Sequence, residues 1–332
     1  MAHGRVEVHE LESRVLAGNP AGDPHVRRVP VWLPPSYGSQ PARHYPVLFA
    51  LTGFAGRGRM LLNDNPWSPA LDDRLDALVG AGCGEMIVVM PDCCTRFGGS
   101  QYLNSAATGR YADHVLDELV PWADATFRTR PGRDHRGVAG KSSGGFGALT
   151  LGMTRPDLFG AIACHSGDMY FDYCYRPDIP KACSVLQEAG GALAFLERFE
   201  RRPQKGKDDF LALNILGMAA SYSPDADAEL GVALPFDLAT GAFRDEVWAR
   251  WLAHDPLLRL AEREAALGSL KLLYMDCGTK DEFHLHHGAR LFARGLRSRG
   301  IAHEYQEFDD GHMNVGYRYD TSLPLLAKAL GA

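Results

Sequence analysis

The segment VAGKSSGGFGAL, Val138 to Leu149, holds two chemistries in one string. Gly140-Lys141-Ser142 resembles the close of a phosphate-binding loop, while Gly140-Lys141-Ser142-Ser143-Gly144 fits the Gly-x-Ser-x-Gly turn that presents a nucleophilic serine. Spacing separates the two. A phosphate loop needs an earlier glycine so that its N–H groups can curl around the phosphates, and His135 occupies that position. An imidazole with its Cβ would strain the turn, so the nucleotide reading fails. The serine reading asks for a strand, a sharp turn flanked by small residues and then a helix. HRGVAG supplies the strand, Gly140 and Gly144 flank Ser142, and GGFGALTLGM supplies a helix-compatible apolar run. In a chain with 36 glycines the pattern alone is weak, so its weight rests on partners downstream, first an acid and then a histidine.

A serine that transfers acyl groups needs a base to take its proton, and the base needs a carboxylate to hold its tautomer. Asp281 follows the strand LKLLYMDCG through the turn Gly278-Thr279-Lys280, and His312 follows the strand AHEYQEFDD, with Gly311 freeing the backbone beside it. One helix, one strand and their turns lie between them. Asp276 is the rival acid, but it falls within the strand, and Asp309 and Asp310 adjoin the histidine too closely in sequence. His165 is the rival base, yet it precedes the expected acid. An oxyanion hole requires two backbone N–H groups. Ser143, at the start of the post-elbow helix, supplies one, and Phe54 in ALTGFAGRG, where Gly53 lets the chain turn, supplies the other. Lys141 is an awkward cation beside a nucleophile and has no partner assignable from sequence. His284, His286 and His287 raise a metal site, but at a helix start their spacing aims the rings apart, so no metal is expected. No organic cofactor is called for.

These residues need a scaffold. RVEVHELESRVL, HVRRVPVWLP, YPVLFALTG and EMIVVMPD read as strands before the elbow, and FGAIACHSG, LKLLYMDCG and AHEYQEFDD as strands after it. SPALDDRLDALVGAG, YADHVLDELVPWADATF and LHHGARLFARGLRSRG read as helices between them. This alternation implies an α/β fold, a mostly parallel sheet with helices on both faces and an antiparallel entry. Residues 168–266 break it with a helix-rich insertion, so residues 1–167 and 267–332 form the core and the insertion forms a lid or cap over the active site. Tyr170 and Tyr173, close to the strand end, are expected to line an acyl pocket. Trp248 and Trp251, three apart on a helix, fit the insertion's own small core equally well.

With 332 residues, 45% hydrophobic and 23% charged, the chain has the composition of an ordinary globular protein. A net charge of −6 and the lack of any basic run exclude a nucleic-acid partner. The start MAHGRVEVHE carries charges where a signal peptide needs an apolar core, and no run approaches a membrane span, so a cytoplasmic protein is expected. Seven cysteines at unpaired spacings read as reduced thiols, with adjacent Cys93 and Cys94 a weak case for a redox pair. A homo-oligomer is compatible with all of this.

The motifs VWLPPSYG, YPVLFALTGFAG, IVVMPD, YADHVLDELVPWAD, VAGKSSGGFGAL, RPDLFGAIACHSG, CGTKDEF and DDGHMN, in that order, resemble the putative-esterase family of α/β-hydrolases. That family includes esterase D, feruloyl esterases, enterochelin-esterase-like proteins and the mycolyltransferases. The resemblance covers most of the chain apart from the insertion. It implies Ser142 as nucleophile, Asp281 as acid and His312 as base, with Phe54 and Ser143 at the oxyanion positions. Two departures stand out: Lys141 occupies a position where the family often carries histidine, and the insertion exceeds the loop of the smaller members, so substrate class does not carry over. The expected function is a serine carboxylic-ester hydrolase acting through an acyl-enzyme on a small-molecule ester. An acyltransferase with the same intermediate is the alternative, and a non-catalytic binding module is the reading from another class.

Overall fold

The main sheet has eight strands in the computed structural model, which describes residues 3–332. They are β1 (Arg5–Glu12), β2 (Val26–Leu33), β3 (Val47–Leu51), β4 (Ile87–Val89), β5 (Arg136–Lys141), β6 (Ala161–His165), β7 (Leu272–Gly278) and β8 (Glu304–Phe308). Their order across the sheet is β1-β2-β4-β3-β5-β6-β7-β8. Strands β3 to β8 are parallel, and β1 and β2 enter antiparallel, as the sequence pattern implies. After β3 the chain steps to β4 on one side and then to β5 on the other. Such a reversal opens a crevice beyond the carboxyl ends of the strands. The register puts Leu51 beside Gly140, Lys141 beside His165 and His165 beside Asp276, so these strand ends line one edge.

The sheet is covered on both faces, which is why its central strands are apolar throughout rather than alternating with polar residues. The longer helices are α1 (Leu71–Gly80), α2 (residues 111–126, wound as a π-helix over His114–Leu119), α3 (Ser143–Thr154), α4 (Ile179–Ala189), α5 (Ala192–Arg201), α6 (Lys207–Tyr222), α7 (Asp245–Leu252), α8 (Leu285–Ser298) and α9 (Tyr319–Leu330). Successive strand residues point to opposite faces. Leu48, Ala50, Ala139, Ala163 and Tyr274 pack with α1 and α9, while Phe49, Leu51, Val138, Ile162 and Met275 pack on the face that carries α3.

That alternation decides the fate of the two rival site residues. His165 and Asp276 share the α9 face, where His165 Nδ1 lies 2.8 Å from Asp276 Oδ1 and His165 Nε2 lies 2.9 Å from Ser322 Oγ. Arg318 Nε and the Tyr274 hydroxyl donate to the other Asp276 oxygen, each at 2.8 Å. The rivals are thus each other's partners. His165, Asp276 and Ser322 are at most 2% exposed, so this Ser-His-Asp arrangement is sealed inside the protein.

Residues 168–266 carry α4 to α7 and share a core with the sheet. Phe146 of α3 meets Phe171 and Tyr222 at ring separations of 6.1 and 5.8 Å. Trp251, fully buried, packs on Tyr175, Tyr222 and Trp248 and donates its indole N–H to Ser223 Oγ at 2.8 Å. Trp248 donates to Asp172 at 3.1 Å. The two tryptophans fill the insertion's core, the plainer of the two readings of their spacing. The Asp255 carboxylate accepts the N–H groups of Tyr170 and Phe171 at 3.0 and 2.8 Å, fixing the chain as it leaves β6.

His254 stacks on Tyr222 at 5.2 Å, and burial, helped by Arg259 and Arg250, lowers its pKa to about 4. An unfolded histidine titrates near 6.5, so the unfolded chain binds more protons between these values. The stabilisation is complete above about pH 6.5 and is lost as pH falls toward 4, by on the order of 2–3 kcal/mol. Chemical denaturation of His254→Gln at a series of pH values is expected to show a flatter decline than the parent across that window. Parallel declines would remove His254 as the cause.

Candidate active site

Ser142 sits between β5 and α3 with φ 59° and ψ −127°, a conformation that side-chain-bearing residues rarely adopt. Its neighbours explain how it is held. A Cβ on Gly140 would lie 2.4 Å from the backbone of Gly144, and one on Gly144 would lie 2.5 Å from Leu51 O. Only glycine fits at either position. The Ser142 N–H donates to His165 O at 2.9 Å, and Ser142 O accepts from Phe146 N at 2.9 Å, so the strained residue is tied to β6 and to the first turn of α3. Strain of this kind costs about 1–3 kcal/mol and persists where surrounding contacts impose it.

His312 and Asp281 come together as their spacing implies, with His312 Nδ1 2.7 Å from Asp281 Oδ2. The other Asp281 oxygen accepts Phe283 N at 2.9 Å. Burial alone would raise this carboxyl's pKa, but the His312 hydrogen bond and charge, together with the N–H groups of Phe283 and Leu285, outweigh it and hold the pKa below the ordinary value. Glu282, which no motif or turn signal singled out, accepts the His312 N–H at 2.7 Å and lies where a Cβ on Gly311 would collide with it. The Phe283 ring stands edge-on to the imidazole at 4.8 Å. Among the described residues Ser142 Oγ and His312 Nε2 make no hydrogen bond, to each other or to anything else. Such pairs commonly tighten only when substrate binds.

The N–H groups of Phe54 and Ser143 likewise have no partner among the described residues. Gly53 plays a different part from the one its sequence context suggests. It is Ala55, with φ 60°, that makes the left-handed turn and donates its N–H to Gly98 O at 2.8 Å. Gly53 instead gives clearance, since a Cβ there would lie 3.3 Å from both Ser142 Cβ and Lys141 O. The Phe54 ring packs on Gly98 and Gly217, anchoring this loop against α6.

Beside this cluster lies a carboxylate that strand and helix signals did not reveal. Asp168, buried in the turn after β6, accepts at Oδ2 from the Tyr175 hydroxyl at 2.7 Å, Gln101 Nε2 at 3.0 Å and the Ser143 hydroxyl at 3.2 Å. Gln101 also donates to the Tyr222 hydroxyl at 2.9 Å. Burial raises the Asp168 pKa, opposed by these donors and by the charge of His312. Its position in a strand-end turn, next to a helix start, was the available signal. Lys141 is partly buried, and burial lowers its pKa against the fields of Asp281, Asp168 and Glu282. It makes no ion pair with any of them.

Tyr170 and Tyr173 stack at 4.3 Å, and Tyr173, 44% exposed, meets the edge of His287 at 5.5 Å. The insertion's near end therefore leans on the start of α8, a few residues beyond Asp281. His284 takes a left-handed φ of 61° as α8 begins, and His286 turns inward. Among the described residues no three His, Cys, Asp or Glu side chains converge as a metal site. A separate cavity of about 470 Å³, lined by Arg27, Arg57, Arg59 and Arg96 with Asp23, Asp92 and Cys94, contains none of the candidate site residues.

Comparison with known proteins gives this arrangement a lineage. The family model described as "Putative esterase" matches residues 24–323. An esterase of Mycobacterium tuberculosis is 37% identical over 83 residues, 25% of this chain and 18% of the relative. The endo-1,4-beta-xylanase/feruloyl esterase of Xylanibacter ruminicola is 29% identical over 149 residues, 42% of this chain and 19% of the relative. The chain thus matches under a fifth of the length of these curated relatives. Among solved structures, a ferulic acid esterase covers 100% of both chains with a TM-score of 0.66 at 20% identity. An S-formylglutathione hydrolase from Agrobacterium tumefaciens covers 100% of this chain and 97% of its own, with a TM-score of 0.59 at 16% identity. Those identities speak to the fold, the α/β-hydrolase type. With nine-tenths of its length inside the family model, the chain belongs to the putative esterase family.

Proposed function

We propose that the protein is a serine carboxylic-ester hydrolase acting on a small-molecule ester. Ser142 Oγ attacks the ester carbonyl while His312 Nε2 takes its proton, and the N–H groups of Phe54 and Ser143 receive the negative charge that builds on the carbonyl oxygen. His312 then protonates the departing alcohol, leaving Ser142 acylated, and water activated by the same imidazole releases the acid. Asp281 holds Nδ1 protonated, which leaves Nε2 as the basic nitrogen, and stabilises the imidazolium once it forms. The observation that carries this reading is the Ser142 backbone at φ 59°, clamped by two glycines at a strand-to-helix turn. Support also comes from the family and from structural neighbours named as a ferulic acid esterase and an S-formylglutathione hydrolase. All seven cysteines are free, which suits the cytoplasm, and among the described residues no helix is long and apolar enough to cross a membrane.

A fluorophosphonate probe is expected to label Ser142 and to leave Ser142→Ala unlabelled, because an activated hydroxyl attacks phosphorus as it attacks an acyl carbon. Peptide mapping of the adduct to Ser143 or Ser166 would reassign the nucleophile.

Exchanging the two buried aspartates one at a time separates chemistry from stability. Asp281→Asn is expected to cut turnover by about 10⁴ with the fold intact, since it selects the wrong imidazole tautomer. Asp276→Asn disturbs His165, Arg318 and Tyr274 instead, and should lower stability by about 2–4 kcal/mol with much less effect on turnover of the folded protein. A collapse of turnover in Asp276→Asn alone would move the acid to that residue.

The acyl pocket is assigned to Tyr170 and Tyr173. Because their rings stack mainly on each other near the surface, truncating either to Ala should shift acyl-length preference across an ester series more than it shifts melting temperature. Parental preference in both variants would point to the loop Arg57–Trp67 instead. The same assays run with alcohol acceptors distinguish hydrolysis from acyl transfer.

A further inference from the structure

Asp168 holds its two oxygens in different ways. Oδ2 accepts three hydrogen bonds, from Tyr175, Gln101 and Ser143, and is fully engaged. Oδ1 has no hydrogen-bond donor among the described residues, yet it is not one of the atoms sealed from solvent without a partner. A carboxylate that served only to brace the fold would be expected to satisfy both oxygens within the protein, whereas an oxygen left open to solvent is free to accept from an incoming group. The position adds to this. Ser143, whose hydroxyl donates to Oδ2, directly follows Ser142, and the charge of His312 reaches the same carboxylate.

Resting on the esterase reading above, the geometry points to Asp168 as a specificity-determining residue: Oδ1 accepts a hydrogen bond from a hydroxyl that the substrate carries close to its scissile ester. A hydroxyl suits the site better than an ammonium. Lys141 already brings a positive charge to the fields of Asp281, Asp168 and Glu282, so a second cation would meet repulsion that a neutral donor avoids. The hydroxyl can belong to the acyl chain or to the alcohol, and either would present the same O–H to Oδ1. Gln101, Tyr175 and Ser143 keep the carboxylate from turning away, because rotating it would break three bonds at once.

Two isosteric substrate pairs test this and locate the hydroxyl. In the acyl pair, methyl 3-hydroxybutyrate is set against methyl 3-methylbutyrate; in the alcohol pair, 2-hydroxyethyl butyrate is set against propyl butyrate. In the parent enzyme kcat/KM is expected to favour the hydroxylated member of one pair by roughly tenfold or more. Asp168→Asn offers a sharp variant. Its carbonyl oxygen can keep the three internal donors while its NH₂ replaces Oδ1, turning an acceptor into a donor, so the preference should fall to about one or invert. Asp276→Asn, whose side chain bonds only His165, Tyr274 and Arg318 among the described residues, serves as the control for stability and should lower the melting temperature without moving the ratio. A parental ratio near one in both pairs, or an unchanged ratio in a folded Asp168→Asn, would overturn the assignment while leaving ester hydrolysis standing. If Asp168→Asn does not fold, the parental ratios alone decide. No hydrolysis of any ester, together with no fluorophosphonate labelling, would instead overturn the esterase reading on which the assignment rests.

Discussion

The site depends on one steric fact: the backbones of β3, β5 and α3 meet too closely for any Cβ. Gly144 stands against Leu51 and Thr52 oxygens, Gly140 stands against Gly144, and Gly53 passes Ser142 with little clearance. This crowding leaves Ser142 no relaxed conformation, so it takes φ 59° and is lifted out of the strand with its N–H held by His165. The same closeness brings the start of α3 near the loop that carries Phe54, and the N–H groups of Ser143 and Phe54 have no partner among the described residues. A larger side chain at any of the three glycines would part these elements before it changed any chemistry.

Much of this could be read from the chain, for reasons that particular residues make plain. Ser142, Asp281 and His312 each follow a strand and lie beside a glycine or in a glycine turn, so periodicity and turn chemistry together marked them as candidates. Choosing Asp281 over Asp276 needed only the sense that a mid-strand residue faces the wrong way, and the face it takes is the one covered by α9. Sequence could not show that His165 is its partner, because the pairing joins residues far apart in the chain through the register of β6 and β7. Asp168, Gln101 and Glu282 were hidden for a related reason. Their roles come from contacts between loops, and loop conformation, including the left-handed φ of 49° at Gln101, follows from packing rather than from local pattern. Gly53 shows the limit from the other side, since a glycine marks need for space or need for turning without saying which.

The insertion is bound into the active site by polar as well as apolar contacts. Phe171 and Tyr222 extend the core above Phe146, while Tyr175 and Tyr222 reach through Gln101 and Asp168 to Ser143. One aromatic layer therefore supports both the helices above the sheet and the residue that follows Ser142. A short chain of hydrogen bonds joins the insertion to Ser143.

The fold contains two Ser-His-Asp groupings, and comparing them shows how the candidate site differs from a sealed one. In the first, Ser322, His165 and Asp276 are sealed, and every nitrogen and oxygen of the three side chains has a partner. Nothing there can accept a proton or meet a carbonyl without breaking a bond already made. Around Ser142 the accounting is left open: His312 Nε2, the N–H groups of Phe54 and Ser143, and Asp168 Oδ1 all lack partners among the described residues. Each unmet group costs stability in the empty protein and is repaid only when something arrives to satisfy it. Residue types are shared by the two arrangements, so identity alone is not diagnostic. The distinguishing feature is a set of donors and acceptors left unsatisfied among the described residues.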